Sequence, residues 1–255
     1  MLQSGSRGQL SGCRAPEIVP VKDTHDRVFV ARAGAAGMLE CLDHDGRPLW
    51  RTDVDGTPSC PPVVADINHD RASEILVGAS QGTIGVWDAA TGGKRPLPAT
   101  APDPAPETND TDPEPGQSFS PTVVAHGPVN SLIVGNVNRS PGLEILATDA
   151  TTLYCLSATL ETLWTLKIGT DAMPAVVEGG DAQSSSSAEA ILVMTRDGAL
   201  TCVDGAGAVR WKDTRPCVSL AGPPVVGDLR GEGYPECVYA ARDRIVRAVR
   251  INSRE

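Results

Sequence analysis

The feature that most constrains this chain is a recurrence. Three segments place Cys and Trp nine residues apart, as Cys41/Trp50, Cys155/Trp164 and Cys202/Trp211, and in each a Leu stands two residues before the Cys. With seven Cys and four Trp in 255 residues, such a coincidence marks an internal repeat, and a repeat dictates the architecture before any local propensity does. A fourth copy runs Ile84-Gly-Val-Trp-Asp-Ala-Ala-Thr-Gly92, with Val86 in the Cys place, and a degraded fifth is Val246-Arg-Ala-Val249, with Ala248 there. The anchors 41, 86, 155, 202 and 248 are spaced by 45, 69, 47 and 46 residues. The long interval contains Pro96–Ser118, rich in Pro, Asp and Thr, and without that insert the period is uniform.

A second motif precedes the first: Pro62-Val-Val-Ala-Asp-Ile-Asn-His-Asp-Arg-Ala-Ser-Glu-Ile-Leu-Val-Gly78. Its relatives run from Leu132 through Asn136 to Glu144 and from Pro224 through Asp228 to Glu236. In each, the first polar residue precedes the Glu by eight. Pro174–Glu178 to Glu189 is a looser copy stretched by Ser184–Ser187, and in the first copy Ile18–Asp23 turns directly into Val28-Phe-Val. Each period holds about four short β-rich runs bounded by Gly, Asp, Asn and Pro, and 26 Gly with 21 Pro supply the turns. In the second copy the runs are Pro62–Ala65, Glu74–Gly78, Thr83–Asp88 and a weak outer run after Arg95. Asp43 to Gly46 and Asp204 to Gly207 read as hairpin turns.

Four antiparallel strands per period is the signature of a propeller blade, which buries its two faces only against neighbouring blades. The prediction is an all-β fold, a β-propeller of about five four-stranded blades with the last incomplete. Residues 1–15 form an N-terminal tail; the blades occupy 16–57, 58–118 with the insert 96–118, 119–171, 172–215 and 216–255. Either the tail supplies the missing strand or the array belongs to a larger propeller. A solenoid of stacked hairpins is the structural alternative.

The segment Val63–Gly78 resembles the FG-GAP/VCBS repeat of integrin-α-type propellers and bacterial surface proteins. Leu153-Tyr-Cys-Leu-Ser through Leu163-Trp164 resembles the PQQ-like repeat of quinoprotein-type propellers. The resemblance covers about residues 16–250 and implies the propeller fold; such propellers serve catalysis, adhesion and assembly alike. It also implies a secreted, cell-surface or periplasmic location, although lone cysteines suit a reducing cytosol equally.

The sharpest candidate site is Asp66, Asn68, Asp70 and Glu74. Oxygen ligands at positions 1, 3, 5 and 9 can wrap a hard cation such as Ca²⁺, and FG-GAP repeats resemble this arrangement. Arg71 stands where the family prefers Gly; it strains the turn and brings positive charge near the cation. The alternative is a hydrogen-bonded Asx turn. Asn136, Asn138, Ser140 and Glu144 carry one carboxylate, and Asp228, Glu232 and Glu236 share their loop with Arg230.

Other chemistry is thin. The cysteines form no C-x-x-C pair, which excludes a zinc ribbon, and those at the repeat position read as small core residues. Trp50, Trp164 and Trp211 read as blade-to-blade packing, with an aromatic floor for a quinone or sugar as the alternative; Trp87 is off-pattern and is expected to be exposed on a face. His25, His44, His69 and His126 lie in or beside polar turns. No G-x-S-x-G elbow, P-loop or dinucleotide fingerprint is present. Arg242, Arg244, Arg247, Arg250 and Arg254 read as a solvated edge or a contact for an acidic partner. Asn109-Asp-Thr111 is a glycosylation acceptor in a eukaryotic secretory setting. A net charge of −10 disfavours nucleic acid and anionic lipid; no apolar run reaches a membrane span, and no signal peptide is visible at the start. The expected function is a non-catalytic binding or scaffold propeller presenting loops to a protein or glycan, stiffened by Ca²⁺. The competing class is a quinoprotein-like oxidoreductase or carbohydrate-active enzyme.

Overall fold

The computed structural model describes residues 18–22, 28–34, 37–43, 45–95, 122–138, 142–169, 172–177, 190–213, 224–232, 236–240 and 244–250. The tail 1–15, the insert 96–118 with its glycosylation acceptor, Cys13, Cys217, His25, His44, Ser140, Glu178, Glu189, Arg242 and Arg254 lie outside the described residues.

Among the described residues, nineteen strands form five antiparallel sheets and there is no helix. The first sheet comprises β1 (Ile18–Lys22), β2 (Val28–Gly34), β3 (Met38–Leu42) and β4 (Pro48–Asp53). The second comprises β5 (Val63–Ala65), β6 (Glu74–Gly78), β7 (Thr83–Asp88) and β8 (Thr122–Val123). The third comprises β9 (Ser131–Gly135), β10 (Glu144–Thr148), β11 (Thr152–Leu156) and β12 (Thr162–Lys167). The fourth comprises β13 (Met173–Val177), β14 (Ala190–Met194), β15 (Leu200–Asp204) and β16 (Val209–Asp213). The fifth has three strands, β17 (Val225–Gly227), β18 (Glu236–Ala240) and β19 (Val246–Arg250). In every sheet, strands adjacent in sequence pair in space. The first strands touch in succession, β1 with β5, β5 with β9, β9 with β13 and β13 with β17, and so line one common side of the array. This is the blade arrangement of a propeller.

The nine-residue Cys-to-Trp spacing has a direct geometric origin. Cys41 faces Trp50, Cys155 faces Trp164 and Cys202 faces Trp211 across adjacent strands, and in each case the register shifts immediately after the Cys. A hairpin plus one bulged residue sets the distance. The turn uses a left-handed residue at one fixed place: Gly46, Gly92, Gly207 and, without a glycine, Leu160 at φ 62°. At Gly92 and Gly207 a second constraint applies. A Cβ there would lie 2.5 Å from the Trp50 ring and 2.7 Å from the Trp164 ring.

Four apolar layers fill the spaces between successive sheets. Leu39, Cys41 and Trp50 meet Ile75, Val77 and Trp87 between the first two. Ile67, Leu76, Ile84 and Val86 meet Leu132, Ile145 and Tyr154 between the second and third. Leu146, Leu153 and Cys155 meet Ile191, Val193 and Val203 in the next. Leu192, Leu200 and Cys202 meet Cys237 in the last. Strands β6, β10, β11 and β14 are buried along their whole length, because a middle blade is covered on both faces. The outer strands β4 and β12 share one alternation of exposed and half-buried residues.

The weak outer run expected after Arg95 lies outside the described residues. Lys94 bridges Trp87, Arg95 N–H donates to Val86 O (2.9 Å), and the place beside Thr83 and Ile84 is taken by β8. One expectation is corrected. Trp87 is not exposed: it is fully buried between the first and second sheets. Its strand continues the ladder beyond Val86, so alternation turns it inward.

Candidate functional site

The loop joining β5 to β6 brings Asp66, Asn68, Asp70 and Glu74 together. Asp66 Oδ1 accepts from Asp70 N–H (3.0 Å) and its Oδ2 from Arg71 N–H (2.9 Å). Asn68 Oδ1 accepts from Asp70 N–H (3.0 Å), and Asn68 Nδ2 donates to Asp70 Oδ2 (3.0 Å). Asp70 Oδ1 accepts from Ala72 N–H (2.8 Å). Glu74 Oε2, completely buried, accepts from Ile67 N–H (2.9 Å). His69 and Arg71 both take left-handed backbone, at φ 59° and 71°. The strain ascribed to Arg71 is therefore real, and His69 shares it while exposed to solvent.

The positive charge at this loop comes from Arg95, on the far side of the hairpin after β7. Its guanidinium lies 3.0 Å from Asp70 Oδ2, 2.6 Å from Glu74 Oε1 and 3.4 Å from Asp88 Oδ2. The Glu74 contact is an ion pair without hydrogen-bond alignment, so Glu74 Oε1 accepts no hydrogen bond. Burial pushes the Glu74 carboxyl above its ordinary range, against the pull of Ile67 N–H and Arg95. The Ala72 N–H and Asn68 amide hold Asp70 below its own. Burial acts upward on Asp88, but hydrogen bonds from Thr91 and Arg95 outweigh it and leave that carboxyl lowered.

The carboxylates of this loop are already engaged by the protein's own donors. Calcium asks for about 6–8 oxygens around one point. Here the carboxylate oxygens face loop amides or Arg95, and among the described residues no three His, Cys, Asp or Glu side chains are placed to hold one ion.

The Glu of the motif does the same thing in three sheets. Glu74, Glu144 and Glu236 open β6, β10 and β18, and all are buried. Each Oε2 accepts the backbone N–H seven residues earlier: Ile67 (2.9 Å), Val137 (2.8 Å) and Leu229 (3.0 Å). The eight-residue gap in the sequence is thus a clasp that folds the loop onto the head of its second strand. Asn138 N–H adds a long bond to Glu144 (3.4 Å), and Arg230 Nε lies 3.6 Å from Glu236. Asp228 Oδ1 accepts from Arg230 N–H and Glu232 N–H (3.2 Å each).

The loops interlock across sheets at this end. Leu143 N–H donates to Ile67 O (3.1 Å) of the preceding sheet. Trp50 Nε1 donates to Ala89 O (3.1 Å) and Trp164 Nε1 to Gly205 O (2.9 Å), each bridging to the next sheet's hairpin. The ring Trp residues therefore pack blade to blade. Cys41, Cys155 and Cys202 are buried at one equivalent place, and Cys60 and Cys237 are buried as well. Desolvation pushes the thiols of Cys41 and Cys237 up to about 11 and that of Cys155 to about 12. A polar cluster that the sequence did not announce sits on the third sheet. Tyr154 donates to Asp149 Oδ2 (2.7 Å), while Asp149 Oδ1 accepts from Thr151 and Thr152 N–H (2.8 Å each) and the exposed His126 packs edge-on against Tyr154. Arg250 pairs with Glu232, so part of the basic stretch is neutralised locally.

No family model matches the chain, and no curated protein sequence matches it. It is similar to solved structures. The computationally designed Ika8 protein aligns with a TM-score of 0.57 and 16% identity, over 88% of this chain and 55% of that one. BamB from Moraxella catarrhalis aligns with a TM-score of 0.52 and 18% identity, over 89% and 55%. BBS1N, solved in complex with ARL6DN, aligns with a TM-score of 0.60 and 11% identity, over 91% and 64%. The chain thus spans between half and two thirds of the length of these structures. The likeness carries a propeller-like fold and nothing finer.

Proposed function

We propose that this chain is a non-catalytic propeller scaffold that presents its interlocked loop end to a protein partner. One observation carries the reading. The polar side chains of the repeat motif are spent on holding loops: the Glu clasps fix each turn, and the Trp bridges fix each turn to its neighbour. Such a platform is rigid at no cost on binding. BBS1N offers a parallel, as a propeller-like structure in complex with a protein, ARL6DN. We further propose that Arg95 takes the place a Ca²⁺ ion would hold, making the Asp66–Glu74 loop independent of metal.

The test compares the 255-residue chain with a variant carrying His69→Ala, Arg71→Ala and Glu232→Ala, all exposed loop positions. Cross-linking with mass mapping should place bound protein on residues 66–72 and 228–232 of the wild type and lose it in the variant. Glycan-array binding without protein capture, or turnover dependent on added quinone, would overturn the reading.

A further inference from the structure

The loop between β5 and β6 stores backbone strain that the fold does not use. Among the described residues, the non-glycine residues on left-handed backbone are His69, Arg71, Leu160 and Arg244, and two of them share this one loop. Such a conformation disfavours any residue with a Cβ. Leu160 offsets the cost by burial. His69 and Arg71 are exposed and gain no burial. What holds the turn is backbone: Arg71 N–H donates to Asp66 Oδ2 (2.9 Å), a bond that glycine would make equally well. The fifth loop shows that alternative. Counted from Asp228 as from Asp66, Gly231 stands in the place of His69 and Gly233 in that of Arg71. Gly231 takes the same conformation, at φ 66°, with open space around it. The repeat thus has a relaxed solution for this turn, and the second loop keeps two side chains against it.

Neither side chain has a task within the chain. Among the described residues, the His69 ring and the Arg71 guanidinium meet no hydrogen-bond or ion-pair partner. By contrast, Arg47, Arg51, Arg95, Arg210, Arg230 and Arg250 each pair with a carboxylate of their own chain. The carboxylates nearest Arg71 in sequence are occupied, Asp66 by two backbone amides and Asp70 by Ala72 N–H and Arg95. We propose that His69 and Arg71 are a recognition pair for a carboxylate side chain on the protein partner. The Arg71 guanidinium offers a two-pronged donor, and the His69 ring N–H adds a hydrogen bond. This rests on the scaffold role proposed above and names the chemistry that its second loop reads. A carboxylate fits better than a phosphate dianion, because Asp66 and Asp70 flank the pair and repel a doubly charged group more strongly. The chain's net charge of −10 gives no broad attraction to an acidic segment, so binding depends on these two residues.

The test uses the 255-residue chain, a double variant with His69→Gly and Arg71→Gly, and the single variant Leu160→Gly. Stability and binding should move in opposite directions. The double variant sheds strain and should melt about 2–4 °C above the wild type. Leu160→Gly, at the same backbone conformation, loses a buried side chain and should melt below it. A random dodecapeptide library displayed on phage is then selected on the wild type. The selected peptides should be enriched in Asp and Glu, should lose at least about tenfold in affinity for the double variant, and should gain nothing when phosphoserine replaces the acidic residue. A double variant that melts below the wild type, a library that yields no binders, or peptides with no acidic enrichment would overturn the proposal. So would a gain on phosphoserine. Acidic peptides that bind the double variant as well as the wild type, and cross-link to residues 228–232, would overturn this inference alone and leave the scaffold reading standing.

Discussion

Arg95→Met gives the sharpest test of how the second loop is held. The substitution keeps an unbranched apolar stem and deletes the charge. It strands Glu74, which is completely buried and whose Oε1 has Arg95 at 2.6 Å and no hydrogen-bond donor. Removing one partner of a fully buried pair costs about 3–5 kcal/mol. Arg95 is 26% exposed, so water can reach the vacated place and soften the loss. The ion pair to the more exposed Asp88 adds at most about 1 kcal/mol. The expected loss is about 2–4 kcal/mol, or about 4–16 °C in Tm at this chain length. The sign of its pH dependence follows from Glu74, whose carboxyl is raised. A raised carboxyl contributes stability that is present at low pH and lost as pH rises through its folded pKa. The Arg95→Met deficit should therefore shrink on acidification, as Glu74 takes up a proton and no longer lacks a counter-charge. Thermal melts of wild type, Arg95→Met, Glu74→Gln and the double variant close a mutant cycle, with an expected coupling of at least about 1 kcal/mol. Millimolar Ca²⁺ should leave the wild-type Tm unchanged. An Arg95→Met protein within about 0.5 kcal/mol of wild type, or a Ca²⁺-induced rise in wild-type Tm abolished by Asp66→Ala, would refute the reasoning.

Further outcomes are expected elsewhere. Gly207→Ala meets both a φ of 84° and the Trp164 ring, so it should cost about 2–4 kcal/mol in urea denaturation. Gly46→Ala, at φ 79° with open space around it, should cost only about 1 kcal/mol, and equal losses at the two sites would contradict the Trp-stacking explanation. Cys41, Cys155 and Cys237, raised to about 11–12, should resist alkylation at pH 8 until denaturant is added; rapid native labelling, mapped by mass, would contradict their burial. Burial pushes Asp149 upward, but hydrogen bonds from Thr151, Tyr154 and Thr152 outweigh it and leave the carboxyl lowered, as at Asp88. Both should stabilise the fold above the ordinary carboxylate range and lose that contribution as pH falls through their lowered values. Asp149→Asn should flatten the acid limb of a Tm-against-pH curve, and an unchanged limb would speak against the Tyr154–Asp149 bond.

The fold was legible because each repeated residue pair obeys one local rule. Cys–Trp spacing is a hairpin with a bulge, and the Asp-to-Glu gap is a loop clasped to a strand head. Both are short-range, so sequence spacing carries them intact. Leu160 shows where local rules bend. It takes the left-handed turn position that glycine fills at 46, 92 and 207, yet it is buried against Tyr154 and Leu156 in the layer between the second and third sheets. Burying a Leu is worth about 2–3 kcal/mol, which exceeds the roughly 1–2 kcal/mol of left-handed strain. What spacing could not show was any pairing across the insert. Strand β8 joins β7 over more than 30 intervening residues, and nothing in Thr122–Val123 distinguishes it from the start of the next repeat.

The Asp66–Glu74 loop shows the same limit of local spacing. Within the motif, three carboxylates and an amide at alternating positions look like a cage awaiting a cation. The cation lies 25 residues beyond Asp70, on a different hairpin. A period-based argument does lead to it. Once Glu74 is recognised as the buried head of a second strand, it demands a counter-charge. The candidates are residues at the end of the hairpin that packs over it, since Ala89 N–H reaches back to Ser73 O (3.0 Å). Lys94 and Arg95 are the cations there, and Lys94 is directed to Asp55. The third loop has two carboxylates fewer, while the fifth supplies Arg230 from within the loop itself. The second and fifth copies thus meet their buried Glu with an arginine from different places, while the Glu clasp on the loop amide is common to all three.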